Sequence, residues 1–206
     1  MNYPYCIGIT GASGAVYAMR LLDVLLASGH DVHLSISPSG QVVLAHELGV
    51  EVDLANVDET SLPLEDARAA DDPGRLSYFH HQDYMVPMAS GQARSGGMVI
   101  CPCSGGTLSA IARSASGNLI QRAAEVHLKE RRKLILVPRE TPLSLSQIEN
   151  MRLVTQAGAV VLPASPGWYS GVKDLGDLVD FVVQRICDQL GIETTLVSRW
   201  GSESGQ

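Results

Sequence analysis

Apolar and polar positions along this chain alternate between two kinds of pattern. Residues 5–10 form an almost unbroken apolar run. Residues 16–27 follow with Leu21, Leu22, Leu25 and Leu26 at the three- and four-residue spacing of an inward helix face, stopped near Gly29. Residues 31–37 place Val32, Leu34 and Ile36 on one side, as a strand does, and residues 41–48 read as a short helix ending at Gly49. Residues 98–101 predict a third core strand, with helices from about Leu108 and over 119–130. Residues 133–137 predict a buried parallel strand closed by Pro138. A helix over 144–157, a strand over 160–162 and a long helix over 175–190 complete the series. Helices interleaved with short apolar runs predict a mostly parallel sheet covered on both faces. The expected fold is therefore a three-layer, doubly wound α/β domain, Rossmann-like or flavodoxin-like, in one unit over 1–206.

Residues 50–95 break this rhythm. They are rich in Asp, Pro, Gly and His, and residues 75–80 predict an extra strand. So long an irregular stretch in a compact domain predicts a functional or oligomer contact. The tail over 191–206 has no clear period, and its Arg199-Trp200 pair predicts docking on a neighbouring subunit.

Composition narrows the choice of partners. The 206 residues are 45% hydrophobic and 18% charged, as in a soluble globule. A net charge of −7 argues against nucleic acid. No run approaches the 18 apolar residues of a membrane span, and no charged segment precedes the first apolar run as in a signal peptide. The four cysteines match no disulfide or zinc spacing, and the six histidines form no ligand motif. The expectation is a cytoplasmic protein with reduced thiols and no metal.

Candidate chemistry gathers where strands end. The turn Thr10-Gly11-Ala12-Ser13-Gly14 joins the first strand to the first helix. The N–H groups and positive dipole end of such a helix suit an anion or a polar cofactor edge. The spacing is neither the dinucleotide fingerprint nor a Walker loop, so a plain packing turn is the alternative. Later strand ends offer Ser37, then Ser104-Gly105-Gly106-Thr107, then Arg139 and Glu140, then Pro166-Gly167-Trp168-Tyr169. Two Gly/Ser turns and one Arg suit a phosphate-bearing aromatic cofactor such as flavin mononucleotide (FMN).

Taken together, these segments resemble the flavin prenyltransferases of the UbiX/Pad1 family, within the wider group of flavin-dependent cysteine decarboxylases. The resemblance runs over nearly the whole chain. It is carried by residues 10–14, 101–109, 118–124, 128–132, 137–143 and 166–169 and by Arg199-Trp200.

It implies transfer of a dimethylallyl group from dimethylallyl phosphate, or its pyrophosphate, to N5 and then C6 of reduced FMN, without metal. The product would serve a UbiD-type decarboxylase. It further implies Gly11, Ala12, Ser13, Ser37, Ser104, Gly105, Gly106, Thr107, Arg122 and Arg139 as FMN contacts. The implied donor contacts are Ser90, Gly91, Lys129, Arg139, Tyr169, Arg185 and Trp200. Ser13 and Glu47 would handle the N5 proton, and Glu140 a proton at the phosphate. The aromatic faces of Tyr169, Trp200 and Tyr84 would favour an allylic cation. A homo-dodecamer is implied too, with the tail and the 80–95 loop completing a neighbour's site.

Simpler readings stand beside several of these. Residues 129–133 read as a solvated helix end, where only Lys129 is kept as a site residue and Arg131 and Arg132 as surface. Glu47 has a simpler reading as an exposed carboxylate, and Arg185 as a stem packed on the core. Two other functions compete. One is FMN-dependent decarboxylation of a cysteine-containing substrate; the other is a non-catalytic flavin-binding subunit of a decarboxylase.

Overall fold

The computed structural model describes residues 3–169 and 171–198. At its centre lies β1 (Tyr5–Ile9), whose five residues are all buried, as expected for a strand covered on both faces. From there the chain runs through α1 (Ala15–Ala27), β2 (Val32–Ile36), α2 (Pro38–Leu48), the short α3 (Glu65–Ala69) and β3 (Leu76–Tyr78). It continues through β4 (Gly97–Cys103), α4 (Gly105–Ala112), α5 (Leu119–Lys129) and β5 (Leu134–Pro138). Last come α6 (Leu145–Gln156), β6 (Val160–Val161) and α7 (Leu175–Leu190).

The six strands among the described residues are all parallel, in the order β3-β2-β1-β4-β5-β6. Of the two doubly wound orders expected, this is the Rossmann one. The order reverses between β1 and β4, which pair from Tyr5 with Gly97 to Gly8 with Ile100. Helices α1 and α7 cover one face over Ile7, Ile9, Val99 and Val137. On the other face α4, α5 and α6 cover Ile100, Cys103, Leu134 and Leu136.

Three elements depart most from the expected bounds, each for a local reason. Helix α2 begins at Pro38 rather than residue 41, because Ser37 caps it and proline is pre-set for a first helical position. Helix α4 begins at Gly105 rather than near Leu108, because Ser104 accepts from Thr107 N and overrides the two glycines. Strand β4 passes through Pro102 to Cys103, past the expected end at Cys101, and its pairing with β5 shifts register between Ile100 and Cys103.

The stretch over 50–95 is irregular for most of its length, yet it supplies both α3 and the edge strand β3. One guanidinium pins it down. Arg20 on α1 bonds Asp180 of α7 at 2.6 Å and Asp66 of α3 at 2.5 Å. Beside it the buried Asp23 accepts from the N–H groups of Asp66 and Ala67, capping α3.

Candidate active site

Parallel strands present all their carboxyl ends along one sheet edge, and the crevice between β1 and β4 opens there. Thr10 ties the two strand tips together. Its hydroxyl donates to Pro102 O at 2.7 Å and accepts from Ser104 N at 2.8 Å, in a position only 1% exposed. The turn over 10–14 and the turn into α4 are therefore held in fixed relation.

The first turn is closed by the chain itself. Gly14 caps α1 with φ 118°, a left-handed conformation that suits glycine and offers no side-chain acceptor. The missing acceptor comes from Glu47, 33 residues away in the last turn of α2. Its Oε2 accepts from Gly14 N and from Ala15 N, each at 2.9 Å. Burial pulls the Glu47 carboxyl upward. The Ser13 hydroxyl, the two N–H groups and the nearby Arg139 outweigh that pull and hold it below its ordinary value. Arg139, just past β5, donates from Nε to Ser13 O at 3.1 Å. Ser13, Glu47 and Arg139 thus form one knot. Of the two ligands expected at the start of α1, an anion or a polar cofactor edge, the anion's place is taken by a carboxylate of this chain, and the cofactor edge remains.

The start of α4 is different. Ser104 Oγ accepts from Thr107 N at 3.3 Å and donates to Thr107 Oγ1 at 3.0 Å. The N–H groups of Gly105 and Gly106 lie in the first turn, with no preceding helical carbonyl to receive them. A methyl added at Gly106 would meet nothing within 4 Å, whereas one at Gly105 would lie 3.0 Å from Gln147 Nε2. Among the described residues no carboxylate caps this end, the arrangement that suits a phosphate. The residues at this end therefore fit the phosphate of a cofactor such as FMN. Ser37 lies at the β2 tip, where its hydroxyl accepts from Gly40 N at 3.0 Å and keeps its own proton to donate.

Two further groups sit past β5 and β6. Glu140 is exposed and accepts from Gln147 Nε2 at 3.2 Å. Tyr169 is 63% exposed and stands edge-on to Phe181, ring centroids 5.6 Å apart. Phe181 and Arg185 lie four residues apart on α7, so they are neighbours on its surface, and Arg185 pairs with Asp188 at 3.0 Å. Neither Phe181 nor Gln147 stands out in the sequence as a site residue. Their only signals were a position one helical turn before Arg185 and a capping-box glutamine three residues after Ser144.

The remaining expected residues lie elsewhere. Helix α5 leads from the end of β4 back to the start of β5, so Lys129 at its last turn is at the amino edge of the sheet. There it pairs with Glu130 and stands against Gly91, where an added methyl would lie 2.8 Å from Nζ. Ser90 adjoins this group. Arg122, earlier on α5, pairs with Glu125 at 3.0 Å and reaches Ala89 O at 3.4 Å. Arg132, expected as surface, is instead half-buried and bonds two carbonyls of the 90–95 loop. Within one protomer, Ser90, Gly91 and Lys129 are thus at the edge opposite Ser13, Ser104 and Arg139. Trp200 lies outside the described residues. Among the described residues no cluster of three or more His, Cys, Asp or Glu is placed to hold a metal, and no helix is long and apolar enough to cross a membrane.

Comparison with known proteins gives a consistent set of relatives. A family described as Flavoprotein matches residues 1–187. A flavin prenyltransferase UbiX of Halalkalibacterium halodurans is 47% identical over 199 residues, covering 97% of this chain and 94% of the relative. Among solved structures, AnUbiX (PadA1) in complex with FMN and dimethylallyl pyrophosphate superposes with a TM-score of 0.83 at 33% identity, covering 98% of this chain and 99% of that one. A dodecameric FMN-dependent UbiX-like decarboxylase from Escherichia coli O157:H7 gives 0.81 at 32% identity, covering 97% and 100%.

Proposed function

This chain belongs to the UbiX flavin prenyltransferases, and on that premise we propose how its residues divide the work. It is a transferase that uses FMN. Reduced FMN supplies the nucleophile, N5 and then C6, to a dimethylallyl group leaving its phosphate. The observation that carries the site assignment is the Ser13–Glu47–Arg139 knot standing beside the open end of α4.

In this reading the N–H groups of Gly105 and Gly106 and the hydroxyls of Ser104 and Thr107 hold the FMN phosphate. Arg122 is a further FMN contact. Gly11, Ala12 and Ser37 line the ring. Glu47 remains a carboxylate at neutral pH, so the Ser13 O–H points to it and leaves its oxygen lone pairs free for the N5 hydrogen. A nitrogen that gains an alkyl group while keeping its hydrogen becomes a strong acid. A carboxylate of low proton affinity is then still an adequate acceptor through Ser13.

Loss of phosphate from an allylic carbon develops negative charge on the leaving oxygens, which fixed cations and donors stabilise. Arg139, Tyr169 and Arg185 supply these at the carboxyl edge, and Glu140 moves a proton at the phosphate. Ser90, Gly91 and Lys129 sit at the opposite edge of their own protomer, so a complete site takes them from a second copy. That requirement supports a homo-oligomer, a dodecamer by similarity, with the 50–95 stretch and the tail, Trp200 included, in subunit contacts. The donor is dimethylallyl phosphate, the recipient of the product is a UbiD-type decarboxylase, and the four unpaired buried thiols suit the cytoplasm. No observation favours cysteine decarboxylation or a non-catalytic subunit.

The test is a mass spectrum of flavin released after anaerobic incubation of the protein with reduced FMN and dimethylallyl phosphate, metal omitted. The expected result is one added C5 unit. Unmodified flavin here, and again with the pyrophosphate, overturns the proposal.

A further inference from the structure

The loop over 90–95 is tied to the end of α5 by contacts that the reaction itself does not use. Helix α5 stops where Arg131 turns left-handed at φ 57°, and Arg132 N then bonds back to His127 O at 2.8 Å. This return aims the Arg132 guanidinium across the loop. Nη2 donates to Gly91 O and Nη1 to Ala93 O, both at 2.5 Å. A second tie lies one helical turn earlier. His127 is 1% exposed, and its Nδ1 faces Ala123 O at 2.7 Å. A carbonyl only accepts, so Nδ1 carries the hydrogen and Nε2 accepts from the Ser95 hydroxyl at 2.8 Å. Between these ties Gly91 lies directly against the ends of the Lys129 and Glu130 side chains, so that a methyl added there would displace both.

We propose that Arg132 is the positioning residue of the prenyl donor's phosphate site: by clamping Gly91 and Ala93 it holds Ser90 and Gly91 against Lys129, so that the three contacts reach the phosphate as one preformed unit. The inference rests on the reading that Ser90, Gly91 and Lys129 bind that phosphate. A loose loop would have to be ordered at each binding event, which weakens affinity and leaves the bound complex unchanged. A planar guanidinium spans two carbonyls at once, whereas an ammonium is a point donor, so lysine replaces Arg132 only in part.

The experiment is steady-state prenylation of reduced FMN at varied dimethylallyl phosphate, with Arg132→Gln, Arg132→Lys and Lys129→Ala in the intact assembly, alongside FMN affinity and thermal midpoints. Arg132→Gln is expected to raise KM for the donor about 10- to 50-fold with kcat at saturation nearly unchanged and FMN affinity unaltered. Arg132→Lys recovers part of that loss. In the double variant with Lys129→Ala the two losses are less than additive, because the clamp acts through the residue already removed.

An unchanged donor KM in Arg132→Gln, with a raised KM in Lys129→Ala, overturns the clamp alone. An unchanged KM in Lys129→Ala overturns the phosphate assignment beneath it. A fall in kcat and FMN affinity together, with KM constant, overturns the clamp in favour of a general packing role. Should Arg132→Gln not assemble, Ser95→Ala loosens the same loop without touching a charge. A rise of about threefold in donor KM at constant kcat then supports the clamp, and no rise overturns it.

Discussion

Helices α1 and α4 begin at neighbouring strand tips, each after a glycine-rich turn, and their ends serve opposite purposes. The α1 end is filled from within: Glu47 takes the N–H groups of Gly14 and Ala15, and Arg139 backs the same turn at Ser13. The α4 end is capped by its own Ser104, with the N–H groups of Gly105 and Gly106 in its first turn and open space beside Gly106. Both sequences announce an anion, and neither says whose. A filled end makes a rigid, charged wall against which a hydroxyl can be aimed; an open end makes a receptor. Glu47 is itself poorly placed for its own helix, since a carboxylate at a helix C-terminus opposes the dipole. That local cost is offset at α1, where the same charge meets a positive end.

The largest effect is expected at the filled end. Glu47→Gln keeps an acceptor for the two N–H groups and removes the charge. Turnover should fall between about 100- and 10,000-fold while FMN affinity stays nearly constant, as steady-state rates and flavin fluorescence titration would report. Equal loss of FMN binding would mean that the α1 end holds the flavin after all.

At the open end, Gly106→Asp sharpens the contrast, because its two effects have opposite signs. The space is free, and an acid in the first turn stabilises a helix by about 0.3–1 kcal/mol, so the thermal midpoint should rise slightly. FMN affinity should fall about 100-fold, near 2.7 kcal/mol, because the introduced carboxylate takes the phosphate's place. Retained affinity in calorimetry would remove the phosphate from α4.

Thr10→Val cuts the tie between the two ends. Pro102 O loses its hydroxyl donor and Ser104 N its acceptor, in a buried position, at a cost of about 1–3 kcal/mol in urea unfolding. The smallest effect is in pH. Because the folded-state affinity of Glu47 for a proton is depressed, its charge stabilises the fold above the ordinary carboxylate range. That contribution is lost as pH falls through the lowered folded value. The gap in urea midpoint between the protein and Glu47→Gln should therefore be constant near neutrality and close below about pH 4. A gap that widens on acidification would mean that the carboxyl is raised instead.

Much of this was legible in the sequence. The bounds of α7 and the strand character of β1, β2 and β5 follow from apolar periodicity, which is a local property. The edge strand β3 showed through the irregular stretch because Leu76 and Tyr78 alternate with polar neighbours. The filling of α1 by Glu47 was not legible, since the two partners are 33 residues apart and meet only through packing of α2. Nor was the bridge from Thr10 to Ser104, which spans 94 positions. The opposite-edge placement of Lys129 was readable in principle. In a parallel sheet a helix after a strand must return to the far edge, so the last turn of α5 lies away from the crevice. Arg132 was misread because charge runs at helix ends are usually solvated, and only the loop folded over it makes the difference.

The four thiols carry a last consequence. Cys6, Cys101, Cys103 and Cys187 are all unpaired and at most 2% exposed, spread over β1, β4 and α7. Burial pushes Cys6 and Cys103 up to about 12 and Cys187 to about 11, and raises Cys101 as well. Alkylating reagents act on thiolates, so none of these sulfurs reacts while the sheet stays closed. Each is a built-in clock for the opening of its own strand or helix. The rate at which each takes up a label measures how often that part of the core is exposed to water, with no probe added to the chain.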